Sequence, residues 1–147
     1  MAMDSMDQHI ISCLREDARA AYADIGRKVG LTGPGVYARI KRLEQTGVIR
    51  GYRLDLNPEI TGRSLVAFVR IVTRPTPNDT AALENFAINE PRITECYDVN
   101  GEDCFFLKVS VGSTEELRQL LVEIRAIPEV VRTISSIVLV KVKEANS

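Results

Sequence analysis

The stretch Tyr22–Ile49, YADIGRKVGLTGPGVYARIKRLEQTGVI, decides how this chain is read. Ile25 and Val29 lie four apart and the run stops at Gly30, a residue suited to the left-handed conformation that closes a helix. A short helix over Tyr22–Val29 is therefore predicted. After Leu31, Thr32 is a natural N-cap, and Pro34 falls in the first turn, where its missing N–H does no harm. Val36, Ile40 and Leu43 then repeat at i, i+4 and i+7 until Gly47, which predicts an amphipathic helix. Two helices separated by Gly30 and Leu31 make the tight, glycine-containing turn of a helix-turn-helix.

The outward side of the later helix carries the functional expectation. With Val36, Ile40 and Leu43 facing inward, Tyr37, Arg39, Lys41 and Arg42 must point sideways or outward, which suits a major groove. The small residues at its start, Thr32 and Gly33 among them, let backbone N–H groups approach a phosphate. From Arg27 to Arg53 there are seven cations against one acid, Glu44, a local field that attracts polyanions even on a chain of net charge -1. Val48–Leu54, with Gly51 in its middle, reads as a small β wing, and Arg50 and Arg53 on it become phosphate-contact candidates. Upstream, Ser5 and Gln8 fit a capping box, and Ile10, Ile11 and Leu14 give a first helix over Met6–Glu16. Residues 1–54 thus form a winged helix-turn-helix head.

Downstream, residues 55–64, DLNPEITGRS, lack an apolar period and read as a linker. Beyond it come a strand over Leu65–Thr73, a prolyl break, and a helix capped by Asn78 or Asp79 with Leu83, Phe86 and Ala87 on one face and ended by Pro91. A strand over Ile93–Val99 follows, then a turn at Asn100–Asp103, where Asn-Gly is a strong hairpin signal, and its partner Phe105–Val111. Ser113 and Glu116 fit a second capping box, opening a helix lined by Leu117, Leu120, Leu121 and Ile124. The last strand is placed at Val130–Val142. The order β-α-β-β-α-β over residues 65–147 is the ferredoxin-like arrangement, so the fold class is α+β. Val138, Val140 and Val142 alternate with Ile137, Leu139 and Lys141, making both faces of that strand apolar and predicting sheet-to-sheet pairing of two copies.

Composition narrows the alternatives. The 147 residues, 45% hydrophobic and 27% charged, describe a soluble globular protein. The longest apolar runs, such as Ile137–Val140, fall far short of the roughly 20 residues a membrane span needs, so no membrane partner and a cytoplasmic location are expected. Cys13, Cys96 and Cys104 are odd in number and show no CxxC spacing, and His9 is the only histidine. Neither a disulfide framework nor a metal centre nor a catalytic triad is indicated, and no cofactor is called for.

With these residues in view, Asp4–Gly62 resembles the N-terminal half of the Lrp/AsnC, or feast/famine, regulators. Its landmarks are Asp4 and Asp7, Asp17 and Arg19, Gly30-Leu31-Thr32, Arg39-Ile40, Arg42-Leu43-Glu44, Gly47-Val48-Ile49, Asn57-Pro58 and Gly62. The remainder is similar to that family's ligand-sensing domain. The resemblance implies a transcription factor that binds double-stranded promoter DNA as a homodimer, assembles to tetramers or octamers, and is nucleoid-associated. It further implies a small effector, an amino acid, bound near the hairpin turn. Gly101, Glu102, Asp103 and Cys104 stand at that turn, where Cys104 replaces the family's last Asp and Glu102 or Asp103 offers a carboxylate to an α-amino group. Thr133 and Ser135 match hydroxyl positions that line the effector pocket in relatives. Gly33–Gly35 depart from the bulkier polar residues found there in the family, leaving fewer side chains to reach base edges. Two rivals follow: a haem-pathway decarboxylase, against which the lone His9 argues, and an amino-acid-binding module that no longer reads DNA.

Overall fold

A computed structural model describes residues 3–74, 81–102 and 104–143. The chain forms two compact units that divide between Asp55 and Leu56. The first contains α1 (Ser5–Glu16), α2 (Tyr22–Val29) and α3 (Gly33–Gln45). Its core is small: Ile10, Ile25, Val36 and Ile40 are sealed from solvent, with Met6, Leu14, Val29, Leu31 and Ile49 packed around them. Helix α1 starts one residue earlier than the periodicity suggests, because Asp4 and not Ser5 is the N-cap. Asp4 Oδ1 accepts from the Asp7 N–H at 2.8 Å and Asp7 Oδ2 accepts from the Asp4 N–H at 3.2 Å, an acidic pair that also suits the positive end of the helix.

The turn between α2 and α3 follows the sequence reading. Gly30 adopts φ 76°, its N–H and that of Leu31 both donate to the Gly26 carbonyl, and Thr32 caps α3 through the Gly35 N–H at 3.3 Å. The wing does not form: no strand ladder involves Val48–Leu54. Instead the chain folds back on α3, with Gly47 at φ 74° and the Ile49 N–H donating to the Leu43 carbonyl at 3.0 Å. That closure consumes the start of the stretch, and what remains is too short for two paired strands.

The second unit contains β1 (Leu65–Thr73), α4 (Ala81–Asn89), β2 (Ile93–Asp98), β3 (Phe105–Val111), α5 (Thr114–Arg125) and β4 (Val130–Ile137). The sheet order is β2-β3-β1-β4, with every neighbouring pair antiparallel. One face is buried, with Ala67, Val69, Ile71, Phe105, Leu107 and Val109 packed against Leu83, Ala87, Leu117, Leu120 and Ile124 of α4 and α5. The stretch expected as a free linker is tied to this unit at its far end: Arg63 Nη1 donates to the Pro91 carbonyl and Ser110 Oγ to the Arg63 carbonyl, both at 2.8 Å.

Two details depart from expectation. The Asn78 or Asp79 cap of α4 lies outside the described residues, but Glu129 Oε1 accepts from the Leu83 N–H at 2.8 Å, so the start of the helix is held by a carboxylate from the turn before β4. In the Ser113 box, Ser113 accepts from the Glu116 N–H as expected, whereas Glu116 Oε2 reaches past it to the Gly112 N–H at 2.7 Å. Strand β4 ends at Ile137, not Val142, because its partner runs out. Ile137 pairs with Ala67, the Val138 N–H takes the Val66 carbonyl, and β1 begins at Leu65. Leu139, Val140 and Val142 are left strongly exposed.

Candidate nucleic-acid interface

Helix α3 buries Val36, Ile40 and Leu43 and presents the opposite strip to solvent. On that strip Tyr37 is 48% exposed; its ring centroid lies 5.8 Å from that of Tyr22 at the start of α2, and Lys41 Nζ stands 5.8 Å from its centre. Lys41 Nζ also donates to Glu44 Oε2 at 2.8 Å, while the Tyr52 hydroxyl donates to Glu44 Oε1 at 3.1 Å. The hydrogen bond from Lys41 holds the Glu44 carboxyl below its ordinary range, and in return Glu44 raises Lys41. Partial burial, followed by the hydrogen bond to Glu44, pushes the Tyr52 hydroxyl up, so it remains a donor at physiological pH.

Arg39 and Arg42 occupy a different place from the one the sequence suggests. Arg39 Nη1 donates to Asp4 Oδ2 at 2.7 Å and Asp7 Oδ1 at 2.8 Å, and Arg42 Nη2 donates to Asp7 Oδ2 at 2.6 Å. Asp7 is 1% exposed, so the two guanidiniums straddle a buried carboxylate and fasten α3 to the start of α1. They are turned toward the head, which removes them from the free cationic strip. The hydrogen bond that Arg39 donates to Asp4 lowers the Asp4 carboxyl and raises the guanidinium. The clamp was readable only as a pair of matched spacings, since Asp4 and Asp7 are three apart, as are Arg39 and Arg42.

The remaining cations also divide. Arg27 pairs with Asp24, and Lys28 lies 3.7 Å from Glu16. Arg50 and Arg53 are exposed and have no carboxylate within ion-pair distance among the described residues. Thr32 and Gly33 open α3, with the site of a Gly33 side chain 3.5 Å from the Ala23 nitrogen.

The expected effector residues that are described lie at the hairpin tip and on β4. Gly101 takes φ 141° at the exposed hairpin tip beside Glu102, Asp103 is outside the described residues, and the half-buried Cys104 donates its N–H to the Ile71 carbonyl at 2.8 Å. Thr133 and Ser135 oppose Ile71 and Val69, so both lie on the helix-covered side, and Thr133 is engaged there. Its hydroxyl accepts from Arg125 Nε at 2.8 Å, a partner the sequence reading missed, and Ser135 is exposed. A cleft of about 460 Å³ between α4 and β2, lined by Glu84, Ile88, Cys96, Asp98 and Phe105, includes none of these residues.

Comparison with known proteins bears directly on both units. The AsnC-type helix-turn-helix domain matches residues 3–44 and the Lrp/AsnC ligand binding domain residues 66–147. The HTH-type transcriptional regulator LrpA of Mycobacterium tuberculosis is 37% identical over 139 residues, 94% of this chain and 91% of that protein. The leucine-responsive regulatory protein of Haemophilus influenzae is 35% identical over 147 residues, covering 99% and 89%. Among solved structures, an AsnC family transcriptional regulator from Agrobacterium tumefaciens superposes with a TM-score of 0.92 at 26% identity, covering 99% of this chain and 95% of that one. A feast or famine regulatory protein from M. tuberculosis complexed with L-methionine gives 0.84 at 36% identity, covering 97% and 96%. A helix-turn-helix with a buried acid clamp, joined to a βαββαβ sheet and matched along nearly its whole length by regulators, is no enzyme: the chain belongs to the Lrp/AsnC family of transcriptional regulators.

Proposed function

We propose that α3 enters the major groove of promoter DNA with Tyr37 and Lys41 foremost, while Thr32, Gly33, Arg50 and Arg53 hold the phosphate backbone. Arg39 and Arg42 contribute by keeping α3 fixed against α1. The observation that carries this reading is the outward strip of α3, where an exposed aromatic stands beside a cation, followed in the chain by the exposed Arg50 and Arg53. A cytoplasmic, nucleoid-associated location follows from that partner. Replacing Lys41 with alanine is expected to flatten the plot of log affinity against log salt by roughly 0.9 per head, as one fewer counterion is released. Fluorescence anisotropy on the chain's own upstream DNA at several salt concentrations measures it, and an unchanged slope would remove Lys41 from the interface.

Two copies pair through the helix-free face of the sheet, and dimers assemble further to tetramers or octamers. Register places Tyr97, Phe106, Arg70 and Ile134 in one row across that face and Glu95, Lys108, Phe68 and Ser136 in the next. Phe68 and Tyr97 are 45% and 54% exposed, more aromatic surface than a solvated face carries. Phe68→Glu is expected to shift the light-scattering mass to that of one chain. The effector is a free amino acid, a reading supported by the methionine complex of the related regulator. Its site near Gly101, Glu102, Asp103, Cys104, Thr133 and Ser135 is completed between copies, a reading supported by the cleft between α4 and β2, which includes none of them. Light scattering with a panel of amino acids tests ligand and assembly together; constant mass and constant DNA affinity across the panel would count against an effector.

A further inference from the structure

The cationic window of the head is largely neutralised by the head's own acids. Arg39 and Arg42 are spent on Asp7, Arg27 on Asp24 and Lys28 on Glu16. On the outward strip of α3 the same thing happens to Lys41, which is held by Glu44 one helical turn further along. This pair differs from the clamp at Asp7 in being open to solvent: the Lys41 and Glu44 side chains are 46% and 28% exposed. It fastens no two helices together, so its packing contribution is small. Its effect is on the field that DNA meets.

From this we infer that Glu44 is a specificity-determining residue that masks the charge of Lys41 against DNA of the wrong sequence. The inference rests on the reading of α3 as the groove-entering helix. A phosphate encountered at random must compete with a carboxylate already 2.8 Å from the ammonium, and the two attractions are similar in kind. Non-specific binding, which is almost wholly electrostatic, is thereby reduced by one cation per head. At a cognate site the base edges reached by Tyr37 add interactions that a random duplex lacks, and these draw Lys41 away. Tyr52 makes the exchange reversible at low cost, because its hydroxyl donates to the other oxygen of Glu44 and stays there when Lys41 leaves. Glu44 is thus never stripped of both donors.

The test uses the full chain, two duplexes of equal length (its own upstream region and a scrambled sequence) and a salt series. Glu44→Gln removes the charge and keeps one oxygen to accept from Lys41 or Tyr52, while its NH2 group can donate to the Tyr52 oxygen. It is expected to raise affinity for the scrambled duplex about threefold per head and to steepen its salt slope by roughly 0.9, narrowing the ratio between the two duplexes. Adding Lys41→Ala to Glu44→Gln should return the slope to that of Lys41→Ala alone. Tyr52→Phe, with the charge of Glu44 intact, should leave the scrambled-duplex slope as in the parent and weaken only the upstream duplex. If Glu44→Gln leaves the scrambled-duplex slope unchanged or flattens it while Lys41→Ala flattens the upstream-duplex slope, masking is wrong and the reading of α3 stands. If Lys41→Ala has no effect on the slope of the upstream duplex, the reading of α3 fails and masking with it. A fall in affinity for both duplexes by the same factor, together with a lowered melting temperature, would make Glu44 a structural residue and overturn the inference.

Discussion

Asp7→Ala is expected to unfold most of the DNA-binding head at room temperature and to abolish operator binding. The carboxylate is 1% exposed and receives three donors, the Asp4 N–H, Arg39 and Arg42. Alanine removes half of the α1 capping box and leaves two guanidiniums facing an apolar methyl. Breaking a wholly buried pair costs about 3–5 kcal/mol. Here the Arg39 and Arg42 side chains are 30% and 37% exposed, so water repays part of it, and about 2–3 kcal/mol remains. A head built on so few sealed apolar side chains has no more than that to lose. A urea titration followed by helical circular dichroism measures the loss, and a midpoint unmoved from the parent would show that the clamp is ornamental. The same geometry sets an acid limit. Because Arg39 depresses the folded-state pKa of Asp4, the stabilisation from that pair is complete above the unfolded carboxylate value of about 4 and is lost as pH falls through the lower folded value.

Gly26→Ala is expected to be nearly as damaging, for a steric reason. A Cβ at Gly26 would sit 2.4 Å from the Leu31 carbonyl oxygen, 3.2 Å from its carbon and 3.3 Å from the Thr32 carbon. All three are backbone atoms, so no rotamer relieves the clash; α3 must move off α2. Alanine is the better helix former by about 1 kcal/mol, but overpacking against backbone outweighs this and leaves a net loss of about 2 kcal/mol. The displacement reaches the groove-facing strip directly, because Thr32 caps α3 immediately after the clash. Affinity for DNA should therefore fall at least tenfold at temperatures where the variant is still helical, as anisotropy and circular dichroism on one sample will show. A fully helical variant with parental affinity would mean that the turn tolerates spreading.

The elements were legible wherever local chemistry decides them. Gly30, Thr32 and Pro34 locate the turn between α2 and α3, while β-rich composition in Leu65–Thr73 and the Asn-Gly hairpin signal before Phe105–Val111 locate two strands. The wing and the end of β4 were not legible, because both depend on whether a partner strand is present. Val48–Leu54 and Leu139–Val142 have strand-like composition, yet the first is drawn onto α3 and the second outruns β1. Among the site residues, helical periodicity separates the inner from the outer strip of α3 but not the directions taken by long side chains. Arg39 and Arg42 therefore look like DNA-facing cations until the buried Asp7, more than thirty positions earlier, is seen to hold them. Thr133 likewise looks free until Arg125 is placed beside it.

The hold of Glu129 on the first turn of α4 has a temporal side. A chain emerging from the ribosome exposes the nine residues of α4 long before Glu129 exists, and a helix that short does not persist unaided in water. The central strand β1 waits equally long for β4, its neighbour on one side. Closure of this half therefore waits until Val130–Ile137 has left the ribosome. A transcript truncated before Val130 would yield a product with β1 as a bare edge, primed for aggregation and not for regulation.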